Sequence, residues 1–213
     1  MTTEGAPTLQ PAEAVALIDK ERAHASRREL RSTAAIVAVW GVVWLVGYLA
    51  VWSGADGGNP WFTLPDGVQW WILGGLVIAG IVVSATLGIT MGSGHRGPSN
   101  RVGALYGISF ALGTLVLMLF DIGLVRAGLD ATQASLLFPG TFTLLIGALY
   151  LAGSTAGRRG VDIDQYGAGV ALLIAVVIAT FVGAPHHLLV YAAAGFVFFV
   201  GAWILLRRGQ QPR

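Results

Sequence analysis

Cysteine is absent from all 213 residues. Its absence excludes disulfides, thiolate catalysis, thiolate zinc sites and palmitoylation, while leaving the redox compartment open. Charge is nearly as scarce: 13 basic and 11 acidic residues make up 11% of the chain, against roughly one-quarter in ordinary soluble domains. Hydrophobic residues, by contrast, make up 55%. A soluble helical protein needs polar residues that recur along one face of each helix. Here they gather in short breaks between long apolar runs, so lipid is the expected solvent for most of the chain.

The first 31 residues are not expected to act as a secretory leader. The first 31 residues scatter Glu4, Glu13, Asp19, Glu21 and Glu29 among basic residues, whereas a signal peptide places a basic stretch directly before an apolar one. The first apolar run is therefore expected to stay in the mature protein. The net charge of +2 offers no basic footprint for nucleic acid.

Crossing a bilayer takes about 20 predominantly apolar residues. Windows free of charge occupy 32–55, 67–94, 102–120, 131–157 and 165–206. The last is 42 residues long and is interrupted by Ala184, Pro185, His186 and His187, a helix breaker followed by imidazoles that reads as a tight turn. It holds two spans, giving six in all, over 34–52, 69–91, 102–121, 134–153, 167–184 and 188–206. The predicted fold is an all-α polytopic membrane bundle of about six transmembrane helices with a cytoplasmic N-terminal helix. The expected division is an N-terminal segment over 1–32, a transmembrane domain over 33–208 and a short tail over 209–213.

The connecting segments alternate in charge. Lys20, Arg22, Arg27, Arg28, Arg31, Arg96, Arg101, Arg158, Arg159, Arg207, Arg208 and Arg213 fall on one side, and Arg126 alone on the other. Basic loops resist translocation, so this asymmetry predicts that both termini face the cytoplasm. The pattern suits a bacterial-type inner (plasma) membrane. Trp52, Trp61, Trp70 and Trp71 surround the first outer loop, at the depth where indoles favour the membrane interface.

Helices in lipid associate through small residues that permit close approach. Gly167, Ala171, Ala175, Ala179 and Gly183 recur every four residues along the fifth span, a stripe expected to face the sixth. Shorter versions join Gly88 to Gly92, Gly103 to Gly107 and Ala148 to Ala152. The first span carries Trp40, Trp44, Tyr48 and Trp52 on one face, a ridge expected to pack against neighbours or lipid; the sharper alternative is a site for an apolar or cationic ligand. Before that span, Pro11 opens a helix reaching about Arg31 with Ala14, Leu17, Ile18, Glu21 and Ala25 near one face. It leads into the membrane, or rests on an anionic leaflet or a protein partner. Besides the bilayer, the possible contacts are thus a protein partner at this helix or at the fifth-span stripe.

Ionisable groups inside a membrane are functional candidates by default. Asp121 is the first, with Arg126 a possible partner if the third span runs on to about Val125. With the span ending at Asp121, the carboxyl is expected to be a solvated boundary residue. His186 and His187 share the predicted outer side with Asp121, but neighbouring histidines on a turn diverge and lack a metal-binding spacing, so a polar turn is the expectation. Ser93 and His95 sit in a predicted cytoplasmic loop and do not form the membrane-embedded pair that an intramembrane serine hydrolase needs. The loop from Ser154 to Gly160 lacks the lysine of a phosphate-binding loop. Asp162 and Asp164 are too few for a metal and are expected to solvate their loop. No constellation supports an enzyme, and no cofactor is implied. The expected role is a small membrane subunit, transport-related or complex-forming; a membrane sensor signalling through the N-terminal helix is the alternative.

Overall fold

The computed structural model describes residues 11–92, 98–155 and 161–210. They form six helices: α1 (Pro11–Ser53), α2 (Val68–Gly92), α3 (Pro98–Arg126), α4 (Ala131–Thr155), α5 (Ile163–Val182) and α6 (His187–Gln210). All six are long and apolar enough to cross a membrane. The physical reason is that lipid supplies no hydrogen-bonding partner, so each crossing segment must satisfy its own backbone. Ser93, His95, Arg96, Arg158, Arg159 and Arg213 lie outside the described residues.

The expected N-terminal helix and first span are one element. α1 runs unbroken for 43 residues, about 65 Å at 1.5 Å per residue. It passes through the expected boundary at residue 32 because nothing from Pro11 onward breaks a helix: the segment is rich in Ala, Glu, Arg and Leu. Its upper part joins the bundle from about Leu30, which lies beside Gly209 of α6. The preceding residues, with Val15, Leu17 and Ile18 half-exposed or more, project beyond the bundle.

Helices pack in the order α2, α1, α6, α5, α4, α3. The core therefore belongs to α1, α4, α5 and α6, with Trp44, Leu172, Val176, Tyr191 and Phe198 buried at its centre and Ile146 and Tyr150 packed against them. α2 leans mainly on α1 and α3 on α4, and both leave most of their surface uncovered. The Trp ridge packs, as expected: Trp40 donates to Ser84 of α2, and Trp44 and Tyr48 make edge and tilted contacts with Phe198 and Tyr191. Trp52, next to last in α1, is buried against Leu188 at the start of α6, whereas Trp61, Trp70 and Trp71 are strongly exposed.

Two reciprocal glycine crossings bring helix backbones close together. A Cβ on Gly195 of α6 would lie 3.0 Å from both the Gly41 carbonyl oxygen and the Leu45 nitrogen of α1, and one on Gly41 would lie 3.2 Å from the Gly195 oxygen. Gly147 of α4 and Gly169 of α5 repeat the arrangement: a Cβ on Gly147 would lie 3.2 Å from the Gly169 carbonyl oxygen, and one on Gly169 3.0 Å from the Gly147 oxygen. The missing Cβ lets these backbones approach without displacing one another. The expected stripe is used in its middle: Ala175 and Ala179 are buried in the core with residues of α6, whereas Gly167 meets open space and Gly183, with φ 74°, caps α5. Gly88 and Gly107 also face open space and hold no close crossing.

Asp162 does more than solvate a loop. It caps α5 by accepting from the backbone N–H groups of Asp164 and Gln165, and Arg208 near the end of α6 bonds to both Asp162 (3.3 Å) and Asp164. Burial by itself would raise the Asp162 carboxyl. The Arg208 hydrogen bond and charge and the two backbone donors outweigh it and hold the group below its ordinary value. A carboxyl lowered in the folded state stabilises above the usual carboxylate range, and that contribution disappears as pH falls through the lowered value. Both partners are more than 40% exposed, so the clamp is worth at most about 0.2–1 kcal/mol. A spin-label distance between the Arg208 end of α6 and the start of α5 should broaden on acidification below that range, and Arg208→Gln should give the broad distribution at every pH.

Candidate functional site

Two buried polar side chains, Asp121 of α3 and His187 of α6, meet the N-terminal half of α4. Asp130 accepts from the Gln133 N–H at 2.7 Å and starts the helix there. Pro139 follows two turns later and has no N–H to give. The carbonyl four residues earlier, that of Ser135, therefore loses its intrahelical donor. His187, the first residue of α6, supplies the replacement: its Nε2 is 2.8 Å from the Ser135 oxygen. A carbonyl only accepts, so the proton sits on Nε2. His187 is fully buried, stacks edge-on with Tyr191 at 6.1 Å, and keeps Nδ1 without a partner. His186, its neighbour, points to the exterior. The two rings diverge as expected, but His187 is an internal strut and not part of a solvated turn.

His187→Phe keeps the ring and removes the donor, leaving the Ser135 carbonyl unpaired. The expected loss is about 1–2 kcal/mol, measurable by detergent unfolding, with no comparable loss for His186→Phe.

Asp121 corrects the sequence reading more sharply. α3 does not end there but continues to Arg126, since Ile122, Leu124 and Val125 prolong its apolar character. The carboxyl is buried completely. Its Oδ2 receives the Thr141 hydroxyl of α4 at 2.8 Å, and Thr141 also lies 3.1 Å from the Phe138 carbonyl. Oδ1 has no partner. Arg126 is exposed and does not pair with Asp121: five residues along a helix rotate a side chain by about 140°, onto a different face. Ionisable side chains within membrane spans carry a cost, and Asp121 lies within the span Gly107–Arg126. A buried carboxyl with one idle oxygen is therefore a costly feature for mere packing.

Along α3, Leu117 stands on the same face as Asp121, one turn before it, with Gly113 a turn further back and Val116 beside them. With Thr141, Leu145 and Ala148 of α4, Gly113, Val116 and Leu117 line a groove of about 460 Å³, open along its side. Thr141 thus belongs both to the groove and to the hydrogen bond with Asp121. The structure unites Asp121 with Thr141 and His187 with Ser135; Arg126 and His186 join neither pair. Among the described residues there is no cluster of three or more His, Asp or Glu side chains fit to hold a metal ion.

Comparison with protein families, with curated proteins and with solved structures finds no match.

Proposed function

We propose that this chain is a small multi-pass subunit of a plasma membrane, both termini in the cytoplasm, that works in transport with the Asp121–Thr141 pair as its polar site. The observation that carries the reading is the Asp121 carboxyl: fully buried inside a membrane helix, tied through one oxygen to Thr141 and idle at the other. Ionisable groups so placed serve substrate, ion or proton paths in membrane proteins, because their cost is otherwise uncompensated. The orientation rests on the twelve-to-one distribution of basic residues about the six helices. The chain holds the membrane part; a complex with a soluble partner is the natural setting for any energy input.

The test is flux in sealed phosphatidylcholine vesicles containing the purified chain, with an imposed proton or potassium gradient read by internal dyes. Dissipation that falls to the empty-vesicle rate in Asp121→Asn supports the reading. Equal flux in Asp121→Asn and the parent chain overturns it.

A second reading, a sensor acting through the N-terminal helix, draws on the continuity of α1. A single rigid helix joins the projecting segment to the buried Trp44 and Trp52 with no intervening hinge, so a force or ligand on one end tilts the other. Ala25→Pro breaks that continuity. Signalling output should vanish in this variant under the sensor reading, while vesicle flux, under the transport reading, should be unchanged.

A further inference from the structure

Lys20, His24, Arg27 and Arg31 recur every three or four residues along α1, so they stand on one face of the helix, and all four are exposed. Of the acidic residues of this helix, Asp19, Glu21 and Glu29 stand about a quarter turn or more off that face, and Glu13 lies at its far end. Neither Arg27 nor Arg31 pairs with a carboxylate among the described residues. Continued at the same spacing, the face stays exposed but turns apolar, through Ala35, Val42 and Leu49. One face of α1 thus runs from a cationic stretch into a lipid-facing one, and the change comes at Arg31.

Helix α6 repeats the pattern in the opposite direction. Phe196, Val200 and Trp203 are each more than half exposed, and Arg207, four residues on, lies over the Trp203 ring at 4.6 Å from its centroid. The two helices are antiparallel neighbours: Gly41 meets Gly195, and Leu30 lies beside Gly209. Arg31 and Arg207 both fall within two residues of that last contact, so they share one level. From Leu30, Arg31 is about 100° round α1, and from Gly209, Arg207 is about 160° round α6. Because the axes run opposite ways, these rotations bring both arginines to the same side of the pair. The other side is occupied, by α2 where Met91 meets Thr33 and by the start of α5 where Asp162 meets Arg208.

We propose that the lipid-facing seam between α1 and α6 binds an anionic glycerophospholipid, its phosphate on Arg27, Arg31 and Arg207 and its acyl chains along Ala35 and Val42 of α1 and Val200 of α6. The occupant follows from two features together. Guanidinium groups offer phosphate paired donors and the opposite charge. The apolar faces that lead away from them fit acyl chains, and the Trp203 indole stands where headgroup gives way to hydrocarbon. A soluble anion would use the arginines alone, and a zwitterionic lipid would bring its own cation against them. Under the proposed orientation this end of the bundle meets the cytoplasmic leaflet, the one that carries anionic lipid. The inference goes beyond the transport reading and does not depend on it, since Asp121 takes no part.

The test is native mass spectrometry of the purified full chain in detergent, titrated with dioleoylphosphatidylglycerol, dioleoylphosphatidylcholine and glycerophosphate. Phosphatidylglycerol should bind saturably and phosphatidylcholine about tenfold or more weakly, given a factor of roughly five for each arginine near the headgroup. Glycerophosphate, which has the anion without the chains, should not displace the lipid. Arg31→Gln combined with Arg207→Gln should lower phosphatidylglycerol binding to the phosphatidylcholine level, while Arg126→Gln, at the opposite end of the bundle, should leave it unchanged. Cooperative melting of each variant, matched to the parent chain, separates loss of the site from loss of fold. Equal affinity for phosphatidylcholine, undiminished phosphatidylglycerol binding in the double variant, or an equal loss in Arg126→Gln would overturn the proposal. Displacement by glycerophosphate would also overturn it and reassign the arginines to a soluble anion.

Discussion

Gly195→Val is expected to destabilise the bundle by about 3 kcal/mol or more, at the top of the range for overpacking. The first carbon of the new side chain would fall 3.0 Å from a carbonyl oxygen and 3.0 Å from a backbone nitrogen of α1, with the Trp44 Cβ at 3.3 Å. Backbone atoms of a packed helix cannot turn aside as a side chain can, so α1 and α6 must separate. That separation loosens Trp44, Tyr191 and Phe198, which share the central cluster. Gly147→Val should act in the same direction at the α4–α5 crossing, more mildly, since part of its contact is the flexible end of Leu173. The control is Gly88→Ala, whose Cβ meets open space; it should leave stability unchanged or raise it by about 0.5–1 kcal/mol through helix propensity. Reversible unfolding in mixed micelles reads all three, and a Gly195 variant as stable as the Gly88 control would refute the assigned α1–α6 crossing.

Asp121→Leu should separate function from stability. Leucine has a similar branched outline, so the α3–α4 contact is kept. Thr141 loses one acceptor but retains the Phe138 carbonyl, and the idle Oδ1 disappears. Replacing a buried, partly unsatisfied polar group with an apolar one of similar shape is neutral or stabilising, by up to about 1–3 kcal/mol. Under the proposed function the same variant is inactive in vesicle flux. Greater stability combined with lost flux marks a residue kept for its work. A strongly destabilised Asp121→Leu would instead make the carboxyl a structural strut.

The six spans were legible in the sequence because the constraint is simple: in lipid every backbone group needs a partner within its own helix, so apolar length nearly determines the element. The edges were less legible. Asp121 looks like a stop when charge is taken as the end of a span, yet a carboxyl that finds Thr141 can stay in the membrane, and the apolar residues after it carry α3 on to Arg126. The glycine crossings were hidden for a statistical reason. With 30 glycines in the chain, any four-residue spacing recurs by chance, and which glycine meets which depends on register between helices distant in sequence. Gly41 with Gly195 and Gly147 with Gly169 obey no local pattern.

His187 left a readable trace that the sequence reading missed. A proline inside a membrane helix always orphans the carbonyl four residues before it, so Pro139 already announces that Ser135 needs an outside donor. A histidine at the same end of another span is a natural candidate. The Arg208 clamp on Asp162 and Asp164 was legible only as charge on one side; that α5 and α6 bring the three residues together is a property of the packed pair.

Carbodiimide labelling of the unaltered chain in sealed lipid vesicles, with the modified carboxyls located by peptide mass spectrometry, puts the buried site to the most direct test. A hydrophobic carbodiimide should modify Asp121 while a water-soluble one modifies the exposed Asp56, Asp66 and Asp130 and spares it. Modification of Asp121 by the water-soluble reagent as fast as Asp130 would return it to the aqueous boundary and remove the foundation of the proposed function.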